Sequence, residues 1–232
     1  MKKSLKLIMA IMLIISLVFA ITGCGNKEEN VTNEPSEKKV EDTGKSKTYN
    51  ELNKVFSSEN YMMTLQGKTD LGEGEEEVTM TVATKGENIY MDVNATSQHA
   101  TIMYKDGTTY IISHDDEACV TMQGKDEETF EEDMTFISKE DLQELEKQEY
   151  KTGKETIDGT EYEYEEFKDD EENITDRYYF SNNDLKYIKS IDEDGNEELM
   201  KVIKLSSEVD DSLFSIPTGY EVMSLDNLEE VQ

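Results

Sequence analysis

The chain has no tryptophan, two prolines, two histidines and two cysteines among its 232 residues. Two cysteines exclude a disulfide-stapled scaffold. Cys119 lies in the apolar, strand-like run Ala118–Met122, which suits a buried small hydrophobe rather than a reactive thiol. His99 and His114 stand near no Ser or Cys nucleophile in a recognisable context, and neither H-E-x-x-H nor G-x-S-x-G is present. His114 and Cys119 do not make a metal-ligand pair, being separated by Asp115, Asp116 and Glu117. No catalysis, no cofactor and no metal are therefore expected. Basic residues are scarce as well: 23 Lys and Arg face 54 Asp and Glu, a net charge of −31. Nucleic acid and anionic membrane surfaces carry the same sign and are poor partners, so no nucleic acid is expected. A divalent cation or a basic envelope protein fits that field better, and solubility alone would also account for it.

Long apolar runs are missing except for one, Leu7–Ala20, which follows a basic head of Lys2, Lys3 and Lys6. It is too short for a transmembrane helix, which needs roughly 20 residues. A basic head, a short apolar run and then small residues are the parts of a secretory signal. The run ends in Ile21-Thr22-Gly23-Cys24, which resembles the lipobox of bacterial lipoproteins. That resemblance implies cleavage before Cys24 and diacylation of its thiol. It also implies anchoring to the membrane, at the extracytoplasmic face of the bacterial cell membrane. Residues 1–23 would then be a lipoprotein signal peptide. The mature chain would keep 209 residues, with 20 basic against 54 acidic side chains once the three leading lysines are gone. That length suits one domain.

Residues 24–47 comprise the lipidated cysteine and a polar stretch whose only strong apolar residues are Val31 and Val40. Too little surface can be buried to offset ordering entropy, so a disordered tether is expected. The spacing of Tyr49, Leu52, Val55 and Phe56 predicts a helix over Thr48–Ser58, with Thr48 as N-cap. Period-two alternation then predicts strands around Tyr61–Gln66, Val78–Val82, Ile89–Val93, Thr101–Tyr104, Thr108–Ser113 and Cys119–Met122. Phe130 and Met134 share a helical face. A short second helix follows, with Ser138 and Asp141 as a capping pair and Leu142 and Leu145 inward. A second run of strands occupies Tyr150–Ile157, Thr160–Phe167, Thr175–Phe180, Leu185–Ile191 and Glu197–Leu205. A turn at Asp210–Phe214 comes after it.

Asp106-Gly107, Asp158-Gly159 and Asp194-Gly195 mark hairpins. The expected fold is mainly β (α+β): a curved antiparallel, unclosed β-barrel or meander wrapped around one or more helices. Alternations such as Glu161, Glu163 and Glu165 against Tyr162 and Tyr164 suggest one acidic, solvated face and one apolar face. The loop Asp192–Glu197 is acidic but lacks the EF-hand spacing and fits a hairpin.

The order of these pieces resembles the LolA/LolB/LprG-like lipoprotein carriers. The matching segments are the leading helix, the first meander and the helical insertion, then Gly153–Tyr162, Tyr178–Ser181 into Leu185–Ile188, and Phe214–Tyr220. The resemblance covers residues 48–222, leaving 223–232 as a tail. It implies an open barrel around a helix with a cavity for acyl chains, and hence a lipid or lipoprotein cargo. The absence of tryptophan and the strongly acidic composition depart from that pattern.

Met63, Met80, Met91 and Met122 fall in phase with Leu65, Val78, Val82, Ile89, Val93 and Val120. These ten residues are the candidate lining of such a cavity, because flexible thioethers adapt to variable chains. The same set would equally build an ordinary filled core, which would leave an interaction or sensor module.

Overall fold

A computed structural model describes residues 38–39, 45–58, 60–70, 74–123, 137, 139–169 and 173–225. The signal-like segment, Cys24, the Phe130/Met134 face and the Ser138 cap lie outside the described residues. The elements are β1 (Lys38–Lys39), α1 (Lys47–Phe56), β2 (Asn60–Asp70), β3 (Glu75–Lys85), β4 (Asn88–Ala95), β5 (His99–Lys105) and β6 (Thr108–Ser113). Then come β7 (Ala118–Gln123), α2 (Lys139–Leu145), β8 (Tyr150–Ile157), β9 (Thr160–Asp169), β10 (Ile174–Ser181), β11 (Asp184–Ile191) and β12 (Glu197–Ser206). A 3₁₀ turn (Asp211–Phe214) and β13 (Glu221–Ser224) end the order. Among the described residues, no helix is long and apolar enough to cross a membrane.

The strands form one sheet in the order β1-β8-β9-β10-β11-β12-β2-β3-β4-β5-β6-β7-β13. Two meanders, β2–β7 and β8–β12, are thus joined edge to edge through β12 and β2. Every neighbouring pair is antiparallel except the last, where β13 runs parallel to β7. Among the described residues the sheet does not close, and β1 and β13 are its two edges.

Turn chemistry sets the hairpins. Asp106 and Gly107 have φ of 51° and 74°, and Asp158 and Gly159 have 50° and 77°. Two consecutive left-handed residues are what a tight hairpin between right-twisted strands requires. Asn182 and Asn183, with φ of 52° and 68°, make a third such turn without glycine. Asp194-Gly195 belongs to a wider loop. There the Asp192 carboxylate accepts from the Asp194 and Asn196 backbone N–H groups and from the Asn196 side-chain amide, at 3.0, 2.8 and 2.7 Å.

Both helices pack on one face of the sheet. Tyr49, Leu52 and Phe56 of α1 are buried, as the spacing requires. Leu52, Phe56 and Leu142 join Tyr61, Met63, Leu65, Val82, Phe180, Leu185, Ile188 and Met200 in one core. A fully buried Leu or Phe contributes about 1.5–3 kcal/mol. The N-cap is Ser46, not Thr48: its hydroxyl accepts from the Tyr49 N–H at 2.9 Å. Thr48 is occupied elsewhere, donating its hydroxyl to Glu165 at 2.7 Å. Within the stretch expected as a tether, Lys38 and Lys39 pair with Thr152 and Lys151. Beyond residue 222, Met223 and Leu225 pack on Ile111, Ala118 and Val120.

The acidic alternation of β9 departs from expectation. Tyr164, Glu165, Glu166 and Phe167 are all buried in succession. Alternation places Glu165 on the helix-covered face, since it pairs with Tyr178 while its neighbour Tyr164 pairs with Tyr179. The reason is partner availability. Glu165 receives the first N–H groups of α1, and Glu166 receives the Arg177 Nε at 2.8 Å.

The opposite face of β3–β7 is crossed by the C-terminal segment. Lys85 donates to Val209 O and Asp211 at 3.1 and 2.6 Å, and Lys105 donates to Phe214 O at 3.0 Å. Phe214 is buried with its ring 6.2 Å from that of Tyr90.

Candidate functional site

The strand register puts all ten in-phase apolar residues on one face. Met63 stands opposite Val82, Leu65 opposite Met80 and Gly67 opposite Val78. Val82 then faces Met91, Met80 faces Val93, and Thr84 faces Ile89. Through β5 and β6 the row continues to Val120 by way of Met91, Ile102 and Ile111. A parallel row reaches Met122 by way of Ile89, Tyr104 and Thr109.

Their surroundings differ. Met63, Leu65 and Val82 lie in the core beneath α1 and α2, with Met91 at its margin. Ile89 packs with Tyr104, and Val120 with Ile111 and Ala118, with Met122 alongside. Val78 is buried, whereas Met80, Met91, Val93 and Met122 are half-buried. One cavity of about 180 Å³ lies between the helices, lined by Tyr49, Asn53, Ser57, Lys139, Leu142 and Gln143. None of the ten lines it, and it is smaller than the roughly 300 Å³ at the low end of ligand pockets.

A polar cluster occupies the other face of the same strands. Asp92, between Met91 and Val93, points away from the apolar row, as does Thr101 between Ala100 and Ile102. Asp92 Oδ1 lies 3.1 Å from His99 Nε2 and 3.9 Å from His114 Nε2. The two imidazoles stack with centroids 3.9 Å apart and planes 20° from parallel. Thr101 Oγ1 donates to Asp92 Oδ1 at 2.6 Å and lies 2.8 Å from His114 Nε2. Its single hydrogen is thereby used, so His114 Nε2–H donates to Thr101. His114 Nδ1 then accepts from the Tyr220 hydroxyl at 3.0 Å.

The electrostatics agree with a neutral His114. Desolvation, and then the neighbouring His99, lower its pKa from the ordinary value. Tyr90 beside the cluster is pushed up to about 12, first by burial and then by the Asp92 charge. Cys119 is fully buried on this side, and desolvation raises its thiol to about 11, so it is no nucleophile.

Reading the histidines one by one misses this cluster, although a signal for it is in the sequence. His99 stands seven residues before Asp106 and His114 seven after Gly107. A tight Asp-Gly hairpin therefore sets them opposite each other, and the His114 N–H donates to His99 O at 3.0 Å. Tyr220 has no such signal, because only the tertiary return of the chain brings it there.

No family model matches the chain, and no curated protein does either. Among solved structures, an uncharacterized conserved protein from Thermus thermophilus is similar, with TM-score 0.43 and 11% identity over 77% of this chain and 99% of that one. MucB is similar with TM-score 0.41 and 10% identity over 75% of this chain, which spans 62% of MucB. The LolA superfamily protein NE2245 from Nitrosomonas europaea has TM-score 0.29 and 10% identity over 75% of this chain and 98% of its own.

Proposed function

We propose that this chain is a non-catalytic, lipid-anchored envelope protein. Its anchor is Cys24, and its apolar sheet face accepts an acyl chain of a lipid or lipoprotein. The observation that carries this reading is the continuity of that face. α1 and α2 cover its β2 and β10–β12 part, while Met80, Met91, Val93, Ile102 and Met122 form a half-buried apolar strip that starts at the margin of the central core. Thioethers along such a strip fit chains of different length and curvature. With Lys38–Lys39 already paired to β8, a tether from Cys24 to that strand at coil dimensions of about 5–6 Å × √n would keep the strip within tens of ångströms of the bilayer.

The core beneath the helices supports a second reading. Leu52, Phe56 and Leu142 fill the sheet face there, and the cavity beside them is small. An interaction module that meets a basic envelope protein through its acidic exterior would use the same sheet without a ligand.

Native mass spectrometry on the mature chain carrying Cys24→Ser, followed by lipid extraction, separates the two. The carrier reading expects copurifying lipid that is lost in Met80→Lys and Met91→Lys with the fold kept. A lipid-free protein across several expression hosts leaves the interaction module.

A further inference from the structure

We propose that Asp92, His99 and His114 bind one divalent transition-metal ion of the zinc class. The site lies on the face opposite the apolar strip and does not depend on what that strip carries.

Three arguments converge on it. The first is the donor set. One carboxylate and two imidazoles offer ligand atoms that all lie within 4.8 Å of one another. Two nitrogens and one oxygen suit zinc or copper(II), while hard cations such as calcium and magnesium prefer all-oxygen shells. Three protein ligands also leave a coordination position open.

The second is the support around those donors. A ligating histidine commonly fixes its other ring nitrogen with a hydrogen bond. The Tyr220 hydroxyl sits 3.0 Å from His114 Nδ1 and can accept as readily as donate. Moving the proton from Nε2 to Nδ1 therefore keeps that bond, gives up the 2.8 Å donation to Thr101 and leaves the Nε2 lone pair free for an ion. Thr101 continues to hold the Asp92 carboxylate at 2.6 Å. Backbone register fixes the rest: Asp92 and His99 lie on the adjacent strands β4 and β5, and His114, directly after β6, is held opposite His99 by its N–H bond to His99 O.

The third is access and field. The side chains of His99, His114 and Asp92 are 31%, 21% and 15% exposed, sunk enough to be ordered yet open to an ion. A chain with 54 acidic side chains concentrates dications around itself.

The geometry makes one demand. Rings 3.9 Å apart and only 20° from parallel do not both point at one ion about 2.0–2.1 Å from each nitrogen. Binding must splay the stacked imidazoles. That opening is a signature an ion on the acidic surface would not give.

The test is isothermal titration of the untagged, metal-stripped full chain in detergent with Zn²⁺, alongside NMR of the two imidazole rings. One Zn²⁺ per chain is expected, with both rings shifting at the same stoichiometry. Asp92→Asn and His114→Gln should each weaken binding at least 100-fold, and Tyr220→Phe about 10-fold. Millimolar Ca²⁺ or Mg²⁺ should not displace the ion. If His114→Gln perturbs folding, His99→Gln, on the more exposed ring, reads the same loss. Absence of stoichiometric binding, or binding that survives both Asp92→Asn and His99→Gln, would show the cluster to be a structural hydrogen-bond network only.

Discussion

Glu165, on the ninth strand, caps the first helix from across the sheet: its carboxylate takes the Thr48 backbone N–H at 2.8 Å and the Thr48 hydroxyl at 2.7 Å. The Lys47 N–H reaches the other oxygen at 2.9 Å. The two backbone N–H groups are orphan donors of a helix N-terminus, where a negative charge also meets the positive end of the helix dipole. Both partners are buried, Glu165 at 5% and Thr48 at 0% exposure. Glu165→Ala would strand three donors at once. Denaturant unfolding should show a loss of about 2–4 kcal/mol. Glu165→Gln, which keeps acceptor capacity at one oxygen, should lose less. Equal stability of Glu165→Ala and wild type would mean that water replaces the carboxylate.

That contact also shows where sequence reading stops. Alternation in Thr160–Phe167 identifies a strand, and the Asp158-Gly159 turn before it fixes its hairpin. Which face is inside does not follow from polarity, because Glu165 is held by a helix more than a hundred residues earlier. The first meander is easier. Its strands follow one another through short turns, so the register of Met63, Val82 and Met91 follows from counting. The join between β12 and β2 and the parallel return of β13 link residues far apart in sequence. Neither carries a local pattern. The same is true of Tyr220 in the histidine cluster, while the His99–His114 pairing needs only the hairpin turn between them.

Gly153 lies beneath the ring of Tyr164. An added Cβ there would overlap the Tyr164 ring and hydroxyl. The ring cannot simply swing away: it is 2% exposed, with Tyr179 5.5 Å on one side and the Arg177 guanidinium 4.8 Å from its centroid. Gly153→Ala should therefore destabilise by about 1–3 kcal/mol, the usual cost of overpacking. Gly159→Ala provides the contrast. Nothing lies within 4 Å of its Cβ position, so its cost comes from a φ of +77° alone. If Gly153→Ala proves neutral by thermal melting, the ring has room that its packing denies.

The proposed membrane attachment rests on one thiol. If Ile21–Cys24 is a lipidation signal, metabolic labelling with a radiolabelled fatty acid should mark the wild-type chain and leave Cys24→Ala unmarked. The Cys24→Ala chain should also move from the membrane fraction to the soluble one if it is released from its signal. A diacyl anchor holds stably where a single chain binds only marginally. Cys119 serves as an internal control, because its thiol is buried and pushed up to about 11. Cys119→Ser should leave labelling unchanged. Equal labelling of wild type and Cys24→Ala would remove the anchor from the proposal.

The ion network behind the second meander should make stability pH-dependent in a defined direction. Lys189, 7% exposed, donates to Glu155 at 2.6 Å and to Glu197 at 2.9 Å. Glu155 also accepts from Tyr179 at 2.6 Å and from Arg177 at 3.2 Å. Desolvation pushes the Glu155 pKa up, but the hydrogen bonds from Lys189 and Tyr179 and the nearby cationic charges outweigh it. The net shift is downward from 4.5. A carboxyl with a depressed folded pKa stabilises the fold above its unfolded pKa, and that contribution is lost as pH falls through the folded value. Lys189→Met removes the closest cation while Arg177 and Tyr179 remain. At pH 7 the loss should be about 1–2 kcal/mol, below the 3–5 kcal/mol of a fully buried pair, because Glu155 keeps two partners and is 26% exposed. The difference between wild type and variant should hold down to about pH 5 and shrink below 4.5, as protonation of Glu155 dissolves the pair in both. Urea unfolding of the two proteins from pH 7 to pH 3 measures it. A difference that is constant across that range would assign the cost of Lys189→Met to packing of its buried stem rather than to charge.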